Sequence, residues 1–414
     1  MRRLLPLIAI GIAALFFALR LSRSLASEFA WDFAINWTAA HALRSGVPLY
    51  DGAALRQIGL ARIGPILQST FTTPYNSYLG PPSTALLYLP FTWLAFPAAL
   101  ALYRAAIGLA FGLAVLIGGL ALPAEDRARG WLWGALALLL FDPVNLSLWL
   151  GQVDAWVLLG LALSTWAYRR ERWVQAGIGA GVATLLKVSP GLLIAYFVLR
   201  GRWRAASASA LAMLALLGLA QVIGGGENLR TFLLAVAPTL SGGSLHTENQ
   251  ALPAYLARLF SASANLSTFA VGIGGYRLLS YTLASAGLLG LWLRARQGRE
   301  HALALPLLVL LALLIGPLTW DHYTSWAIVA LVAMADHQLW WGRPSRERIN
   351  LAALLLIGAG LLAMPTLYFA PAAVAALGWL RLLTGLKTIG LLLWLGAGVW
   401  LMRERAPTAL PDTT

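Results

Sequence analysis

The chain contains no cysteine and only five histidines. The first absence excludes disulfide bonds and thiolate chemistry, and the scattered histidines argue against a histidine-rich metal site. Charge is also scarce, because Asp, Glu, Lys and Arg together make up 11% of the 414 residues. Hydrophobic residues make up 59%, in runs too long and too close together for the core of a soluble protein. The composition therefore predicts an all-α polytopic membrane protein, a single domain over residues 1–414.

Lysine is almost absent as well, since only two of the 30 basic residues are lysines. The arginines stand in short clusters between apolar runs, which is the pattern of cytoplasmic loops under the positive-inside rule. The formal charge of +14 therefore reports membrane topology, and no nucleic-acid partner is expected. With the amino terminus inside, arginine clusters share the cytoplasmic face at residues 2–3, 127–129, 169–172, 200–204, 294–299, 343–348 and 403–405.

The spacing of the apolar runs predicts about twelve transmembrane helices. They lie at roughly residues 4–21, 98–122, 131–150, 152–168, 173–187, 189–199, 205–223, 268–293, 301–317, 323–341, 349–370 and 384–402. This topology leaves residues 22–82 as a long first external loop with short amphipathic helices, and residues 224–267 as a second external loop. The first run is either a signal peptide cleaved near residues 24–26 or a retained anchor. An anchor is favoured, and the later topology is the same either way.

Residues 83–97 form an apolar piece that ends at Pro97. Counting it as a crossing would place the arginine clusters at 169–172 and 200–204 outside, against the positive-inside rule. We therefore interpret it as a half-span or an interfacial helix.

Two consecutive apolar segments are too short to cross. At 1.5 Å per residue, residues 173–187 would rise ~22 Å and residues 189–199 only ~17 Å, against a hydrocarbon core ~30 Å thick. The pair is predicted to turn inside the membrane at Lys187-Val188-Ser189-Pro190, which is tolerable only beside a water-filled or protein-lined cavity. With Ser189 as a cap and Pro190 in the first turn of the second helix, free N–H groups and the Lys187 ammonium would bind an anion such as a phosphate. A lysine that snorkels or pairs with a carboxylate is the alternative.

Other polar residues collect on the same external face although they lie far apart in the sequence. Any one of them could be a helix cap or a loop hydrogen bond, but their convergence indicates a substrate site. Asp32, which follows the first apolar run among aromatic side chains, is the leading candidate. The others are Gln152, Asp154, His246, Glu248, Trp320, Asp321 and His322.

Charged residues elsewhere have less specific interpretations. Glu171, Asp336 and His337, on the cytoplasmic side, are interpreted as solvated or charge-balancing. Five cations near the outer boundary are interpreted as snorkelling to lipid head groups, with a lipid phosphate as the alternative ligand: Arg20, Arg104, Arg277, Arg381 and Lys387.

Several short motifs follow one another in a characteristic order. Besides the acid soon after the first crossing, they are Gly46-Val47-Pro48-Leu49-Tyr50, Gly80-Pro81-Pro82, Gly151-Gln152, Ala176-Gly177 with Lys187, and Trp320-x-His322-Tyr323. Together, over about residues 28–330, they resemble glycosyltransferase family 87 of the GT-C superfamily, which includes mycobacterial mannosyltransferases that depend on polyprenyl-phosphate sugars. Asp154 departs from the family pattern, in which asparagine is more usual at this position.

The resemblance implies an inverting hexosyltransferase in the cell (inner) membrane. It would move a sugar, mannose by the family's preference, from a polyprenyl-phosphate carrier to a hydroxyl of a cell-envelope glycolipid or glycan on the periplasmic or extracytoplasmic face. Asp32 would be the general base, and Lys187, His322 and Ser189 would bind the departing phosphate, so no metal or cofactor is expected. The sugar or acceptor would be held by Gln152, Asp154, His246, Glu248 and the indole of Trp320.

Two other functions would use some of the same features. A flippase or transporter for lipid-linked or small polar substrates would also need intramembrane charge and broken helices. It would not need a long structured external loop with a carboxylate near its start, and the chain has no clear internal repeat of the kind found in transporters built from duplicated halves. A polysaccharide polymerase or ligase would also act on lipid-linked sugars, but would take a diphosphate donor.

Overall fold

The computed structural model describes residues 30–67, 70–71, 77–260, 274–297, 302–341, 343–365 and 378–402, with some single residues between 8 and 23. Over these residues the protein is all-helical, and the only extended pairing among them is an isolated antiparallel bridge between Asn249 and Trp320. The predicted first crossing, residues 4–21, lies largely outside the described residues.

The α-helices are numbered here in chain order along the described part of the sequence. They are α1 (Trp31–Arg44), α2 (Gly52–Arg62), α3 (Pro82–Tyr88), α4 (Phe96–Leu120), α5 (Arg127–Leu140), α6 (Asp142–Leu150), α7 (Asp154–Arg169), α8 (Trp173–Leu186), α9 (Gly191–Leu199), α10 (Trp203–Gly224), α11 (Glu227–Thr231), α12 (Ala237–Ser241), α13 (Leu252–Phe260), α14 (Gly274–Arg296), α15 (Ala304–Ile315), α16 (Ile328–Ala333), α17 (Ser345–Ala363) and α18 (Leu386–Leu401). A π-helical turn spans Phe232–Val236, and 3₁₀ helices span Pro65–Leu67, Leu89–Trp93, Ala124–Asp126, Asp321–Ala327, His337–Leu339 and Gly378–Gly385.

Several helices are long and apolar enough to cross a bilayer, which makes this a multi-pass membrane protein. Within the described ranges four helical stretches qualify, and α5 with α6 adds a fifth if this bent pair is one span. The predicted number of twelve crossings is not confirmed by these lengths. The four stretches are Phe96–Leu120, Trp203–Gly224, Tyr276–Arg296 and Gly378–Leu401.

The predicted crossing at 131–150 is a broken helix. α5 and α6 meet at Phe141, whose backbone is extended (φ −75°, ψ 119°), and their axes differ by 61°. Pro143 explains the break, because it has no N–H to donate to the preceding turn and its ring would collide with the carbonyl of Leu139. The bend directs α6 towards the region where the polar residues collect.

The hairpin predicted around Lys187 consists of two short helices. α8 has 14 residues and α9 has nine, so each rises much less than the ~30 Å of a hydrocarbon core. The predicted cap is wrong, because the residue that precedes α9 is Pro190 and no side chain caps this helix. A short turn after Lys187, with Leu193 N donating to Pro190 O at 2.9 Å, replaces the expected serine cap.

The segment 83–97 does not form one long helix. α3 has seven residues, and the 3₁₀ helix Leu89–Trp93 has five. Pro90 lies within this stretch and Pro97 begins the next one. These lengths agree with the prediction that the segment is not a full crossing.

Arg104 does not snorkel to the membrane surface as predicted. Its side chain is fully buried in α4. Its Nε donates to Leu148 O at 3.1 Å and one terminal nitrogen donates to Trp149 O at 2.7 Å. Arg104 therefore satisfies carbonyl groups in the last turn of α6, which have no partner within that helix.

Small residues allow α8 to pack closely against two neighbouring helices. A methyl group at Gly179 would lie 2.5 Å from Gly160 O of α7, and one at Gly181 would lie 2.7 Å from Ser209 O of α10. Ser209 Oγ also donates to Gly177 O at 2.8 Å. Membrane helices associate through such close backbone approach, because burial of apolar surface gives little driving force in lipid.

We expect Gly177→Ala to destabilise the protein and Gly218→Ala to stabilise it. A methyl group at Gly177 would collide with the Ala205 carbonyl of α10, whereas nothing lies within 4 Å of one at Gly218 in the same helix pair. The collision should lower the free energy of unfolding by about 1–3 kcal/mol, and alanine at the open position should raise it by about 0.5–1 kcal/mol. Thermal unfolding in detergent measures both, and equal effects of the two substitutions would contradict the packing.

Candidate active site

Asp32 lies in the first turn of α1, where aromatic packing fixes the direction of the helix. The next residue, Phe33, is fully buried. Its ring lies 5.7 Å from Tyr88, 5.7 Å from Phe96 and 5.1 Å from Tyr103, between ring centroids. Because Phe33 points into the core, the adjacent Asp32 is held at its edge, half-buried. The position at a helix amino terminus favours the ionised carboxylate.

Gln152 is brought to Asp32 by a tight turn after α6. Gly151 has φ +67°, a left-handed conformation that favours glycine, and a methyl group there would lie 2.7 Å from Phe33 Cβ. Tyr88 donates its hydroxyl to Gly151 O at 3.2 Å, and Tyr103 donates to Gln152 O at 3.4 Å. Gln152 Nε2 then donates to Asp32 Oδ2 at 2.8 Å. The turn at Gly151-Gln152 therefore positions a hydrogen-bond donor next to the Asp32 carboxylate.

The environment of Asp32 suits a group that exchanges protons near neutral pH. Burial raises the pKa of Asp32 to about 6, opposed by the hydrogen bond from Gln152 and by the positive charge of Lys187. The negative charge of Glu248 raises it further. Asp32 thus interacts electrostatically with Lys187 of the α8–α9 hairpin and with Glu248 in the segment that follows α12.

Lys187 is half-buried and lies against Tyr323. Its Nζ donates to the Tyr323 hydroxyl at 2.7 Å and lies 4.1 Å from the centroid of the same ring. The Tyr323 ring stacks on Trp326 with centroids 4.9 Å apart. These contacts hold the ammonium of the hairpin against the 3₁₀ helix Asp321–Ala327. Sequence reasoning identified Lys187 but not Tyr323 as its partner, although Tyr323 belongs to the Trp320-x-His322-Tyr323 motif.

Asp154 is fully buried at the start of α7. Its Oδ1 accepts from Trp326 Nε1 at 3.0 Å, and its Oδ2 accepts from Ser147 Oγ at 3.4 Å. His322 Nε2 lies 3.8 Å from the same Oδ2. Asp154 therefore lies next to His322 and connects α6, α7 and the 3₁₀ helix Asp321–Ala327.

His246 and Glu248 lie in the segment between α12 and α13, beside Trp320. The His246 ring is 5.9 Å from the Trp320 ring, edge to face, and its Nδ1 is 3.8 Å from Glu248 Oε2. Burial lowers the pKa of His246, an effect that Glu248 opposes. Both side chains are only partly buried.

Asn249 fastens this segment to the rest of the site, and sequence reasoning missed it. Its side-chain oxygen accepts from Thr319 N at 2.8 Å, and its amide nitrogen donates to Pro317 O at 3.0 Å. Arg258 of α13 donates to His246 O at 2.9 Å and to Asn249 O at 2.8 Å. The signal in the sequence was limited to a run of polar residues at 246–250, without any indication of which one was buried.

The structure thus brings together most of the residues singled out from the sequence. Ser189 is half-buried in the turn two residues after Lys187, where it caps no helix. The roles of all these residues stay predictions. The contacts and electrostatic interactions above connect eight of them into one group, which is called the recess below: Asp32, Gln152, Asp154, Lys187, His246, Glu248, Trp320 and His322.

Lys387 does not reach the lipid head groups as predicted. Only 3% of its side chain is exposed, and its Nζ lies 2.5 Å from Asp321 Oδ1 and 3.6 Å from Asp142 Oδ2. A buried ammonium needs such partners, because the loss of hydration is otherwise too costly. The prediction failed because the two carboxylates are remote from Lys387 in the sequence.

Within the described residues, one cluster has the donor types of a metal site: Asp126, Asp336 and His337. Asp336 is buried, and its Oδ2 pairs with Arg169 at 3.0 Å. Asp126 pairs with Arg129 at 3.1 Å and with His337 Nδ1 at 2.7 Å. The two arginines balance the two carboxylates, so of the two predicted alternatives, solvated or charge-balancing, Asp336 and His337 follow the second.

Comparison with known proteins identifies relatives of similar length. The chain is 28% identical over 352 residues to a polyprenol-phosphate-mannose-dependent alpha-(1-2)-phosphatidylinositol mannoside mannosyltransferase of Mycobacterium tuberculosis, covering 80% of this chain and 75% of the relative. It is 25% identical over 315 residues to a polyprenol-phosphate-mannose-dependent alpha-(1-2)-phosphatidylinositol pentamannoside mannosyltransferase of Mycolicibacterium smegmatis, covering 74% of this chain and 72% of the relative.

The sequence model of glycosyltransferase family 87 matches residues 78–317, more than half of the chain. This range contains the Gly151-Gln152 turn, the hairpin at Lys187 and the segment that carries His246. The chain therefore belongs to glycosyltransferase family 87 and is a hexosyltransferase.

Proposed function

We propose that this protein transfers mannose from a polyprenyl-phosphate carrier to a hydroxyl of a cell-envelope glycolipid or glycan, with inversion at the anomeric carbon. The relatives, which by name depend on polyprenol-phosphate-mannose and act on phosphatidylinositol mannosides, support this donor and this class of acceptor. The site faces the outer side of the cell membrane in a chain of about twelve crossings. The arginine clusters, which the positive-inside rule assigns to cytoplasmic loops, support that orientation.

One observation supports the mechanism most directly. The Asp32 carboxylate, half-buried and with a pKa raised by burial to about 6, accepts a hydrogen bond from Gln152 and lies in the field of the Lys187 ammonium. The site thus contains a base and a cation that interact electrostatically. The transfer of a sugar from a phosphate to a hydroxyl needs both, because a proton leaves the acceptor while negative charge grows on the phosphate.

In the reaction, the acceptor oxygen forms a bond to the anomeric carbon as the bond from that carbon to the phosphate oxygen breaks. The acceptor proton passes to Asp32, and the electron pair of the broken bond stays on the polyprenyl phosphate. Lys187 stabilises the second negative charge that develops there, with His322 and Ser189 beside it. General-base catalysis of this kind contributes ~10² to 10⁴ in rate.

The remaining residues position the sugar and the acceptor. Gln152 donates a hydrogen bond to one oxygen of Asp32, so the other oxygen can accept the proton. His246, kept neutral by burial, and Glu248 offer hydrogen bonds to sugar hydroxyls from the opposite border. Trp320 provides an aromatic face next to His246 on which a pyranose ring can stack. Asp154, fully buried, acts through His322 rather than by contact with substrate.

Asp32→Asn should lower the rate of mannose transfer by about 10² to 10⁴, because asparagine cannot accept the proton. The variant keeps the size of the side chain, so binding of polyprenyl phosphate should change little. The measurement is transfer of radiolabelled mannose by purified protein.

The matched control for Asp32 is Asp51→Asn in the same external loop. Asp51 caps α2 by accepting from Ala53 N and Ala54 N at 3.0 Å, which asparagine can also do. This control should keep normal turnover. Normal turnover in the Asp32 variant itself would remove the proposed mechanism.

Activity should fall as the pH drops below about 6, since Asp32 must be ionised to accept a proton. Gln152→Leu removes the hydrogen bond that lowers the pKa of Asp32, so the acidic limb of kcat/KM should move to higher pH. Gln221→Leu, at a half-buried position near the end of α10, should leave the limb in place. If the limb of the Gln152 variant coincided with that of the unaltered protein, Gln152 would have no role in setting this pKa.

Lys187→Met should weaken binding of polyprenyl phosphate about tenfold to a hundredfold, the usual effect of losing a charged hydrogen bond. Tyr323→Phe removes the hydroxyl that contacts Lys187 and keeps the ammonium, so its effect should be smaller. Titration of the purified variants with polyprenyl phosphate measures both affinities. An unchanged affinity in the Lys187 variant would refute the phosphate assignment and leave the role of Asp32 intact.

A further inference from the structure

Lys387 lies outside the region that the family model matches, which ends at residue 317. It lies in α18 and is one of only two lysines in the chain. Both lysines contact the same short segment, because Lys187 binds Tyr323 and Lys387 binds Asp321. The segment between them carries His322.

The contact with Asp321 is a fully buried ion pair. The side chains are 3% and 1% exposed, and the Nζ to Oδ1 distance is 2.5 Å. Asp142, at the bend between α5 and α6, gives Lys387 a second carboxylate at 3.6 Å and is 23% exposed. The ammonium therefore joins three separate parts of the chain: α18, the start of α6 and the 3₁₀ helix Asp321–Ala327.

Two further contacts connect this ion pair to the recess. His322, the neighbour of Asp321, lies 3.8 Å from Asp154, and Tyr323 receives the hydrogen bond of Lys187. The 3₁₀ helix that begins at Asp321 also packs against α6, α7 and α18. A shift of Asp321 would therefore displace both His322 and Tyr323.

We propose that Lys387 is a positioning residue of the transfer site. Its ammonium holds Asp321 in place, and through the backbone of Asp321 it sets the positions of His322 and Tyr323 relative to Asp154 and Lys187. It does not touch the substrate. The inference rests on the proposed function of the recess, and it adds a residue outside the region that the family model matches.

The geometry predicts how much such a change should matter. Active-site groups displaced by about 1 Å can lose on the order of a hundredfold in rate. Breaking a buried ion pair by removing one partner leaves an uncompensated charge, whereas removing both charges is often neutral for stability. Stability and positioning can therefore be separated by comparing a single with a double variant.

The experiment uses the full-length purified protein, with polyprenyl-phosphate-mannose as donor and phosphatidylinositol mannoside as acceptor probe. Lys387→Met should lower both the melting temperature and kcat, the latter about a hundredfold. The double variant Lys387→Met/Asp321→Asn should recover most of the melting temperature, while kcat stays at least about tenfold below that of the unaltered protein because the segment is no longer held.

Two further variants separate positioning from general stability. Arg169→Met breaks the partly buried ion pair with Asp336, which lies outside the proposed site, and should lower the melting temperature while folded protein keeps its kcat. Lys387→Arg keeps the positive charge that pairs with Asp321, so most of the activity should return.

A double variant with the kcat of the unaltered protein would overturn the positioning role, as would a loss of kcat in Arg169→Met as large as that in Lys387→Met. Failure of the proposed function looks different. In that case the unaltered protein would neither transfer mannose nor bind polyprenyl phosphate, before any variant is compared.

Discussion

The contact between the Lys187 ammonium and Tyr323 holds the candidate site together. An ammonium taken out of water is tolerated only where other groups replace its hydration, and Tyr323 does so with both its hydroxyl and its ring face. The same tyrosine stacks on Trp326, which donates to Asp154. A single requirement, to replace the hydration of one half-buried cation, thus joins the hairpin, the start of α7 and the 3₁₀ helix Asp321–Ala327.

The opposite side of the recess is held by packing rather than by charge. Phe33 fills the space between three aromatic rings, and Gly151 fits against it because glycine has no side chain. Within the described residues, this arrangement gives the Asp32 carboxylate one hydrogen-bond donor from a side chain, Gln152. A carboxylate that is positioned by packing and has few hydrogen-bond donors keeps a higher pKa than a carboxylate surrounded by cations. The side with Asp32 therefore keeps a carboxylate with a raised pKa, and the side with Lys187 supplies a positive charge.

Local patterns in the sequence predicted the helical membrane class, the short hairpin and the polar residues that gather around the recess. They did not predict the partners of buried charges. Arg104 and Lys387 looked like interfacial cations, yet one satisfies carbonyls of α6 and the other pairs with Asp321. Such pairs form between residues that are distant in sequence, so no spacing reveals them. Similarly, Pro143 was visible in the sequence, but the direction of the 61° bend follows from packing.

The position of Lys387 in α18 has a consequence for biogenesis. Helices enter the membrane in the order of synthesis, and the carboxylate of Asp321 lacks this partner until α18 is inserted. A buried carboxylate without a counter-ion is unfavourable, so the segment Asp321–Ala327 is not expected to reach its final position earlier. A chain that still lacks α18 would therefore also lack the final arrangement of His322 and Tyr323, and the site would be completed only at a late stage of synthesis.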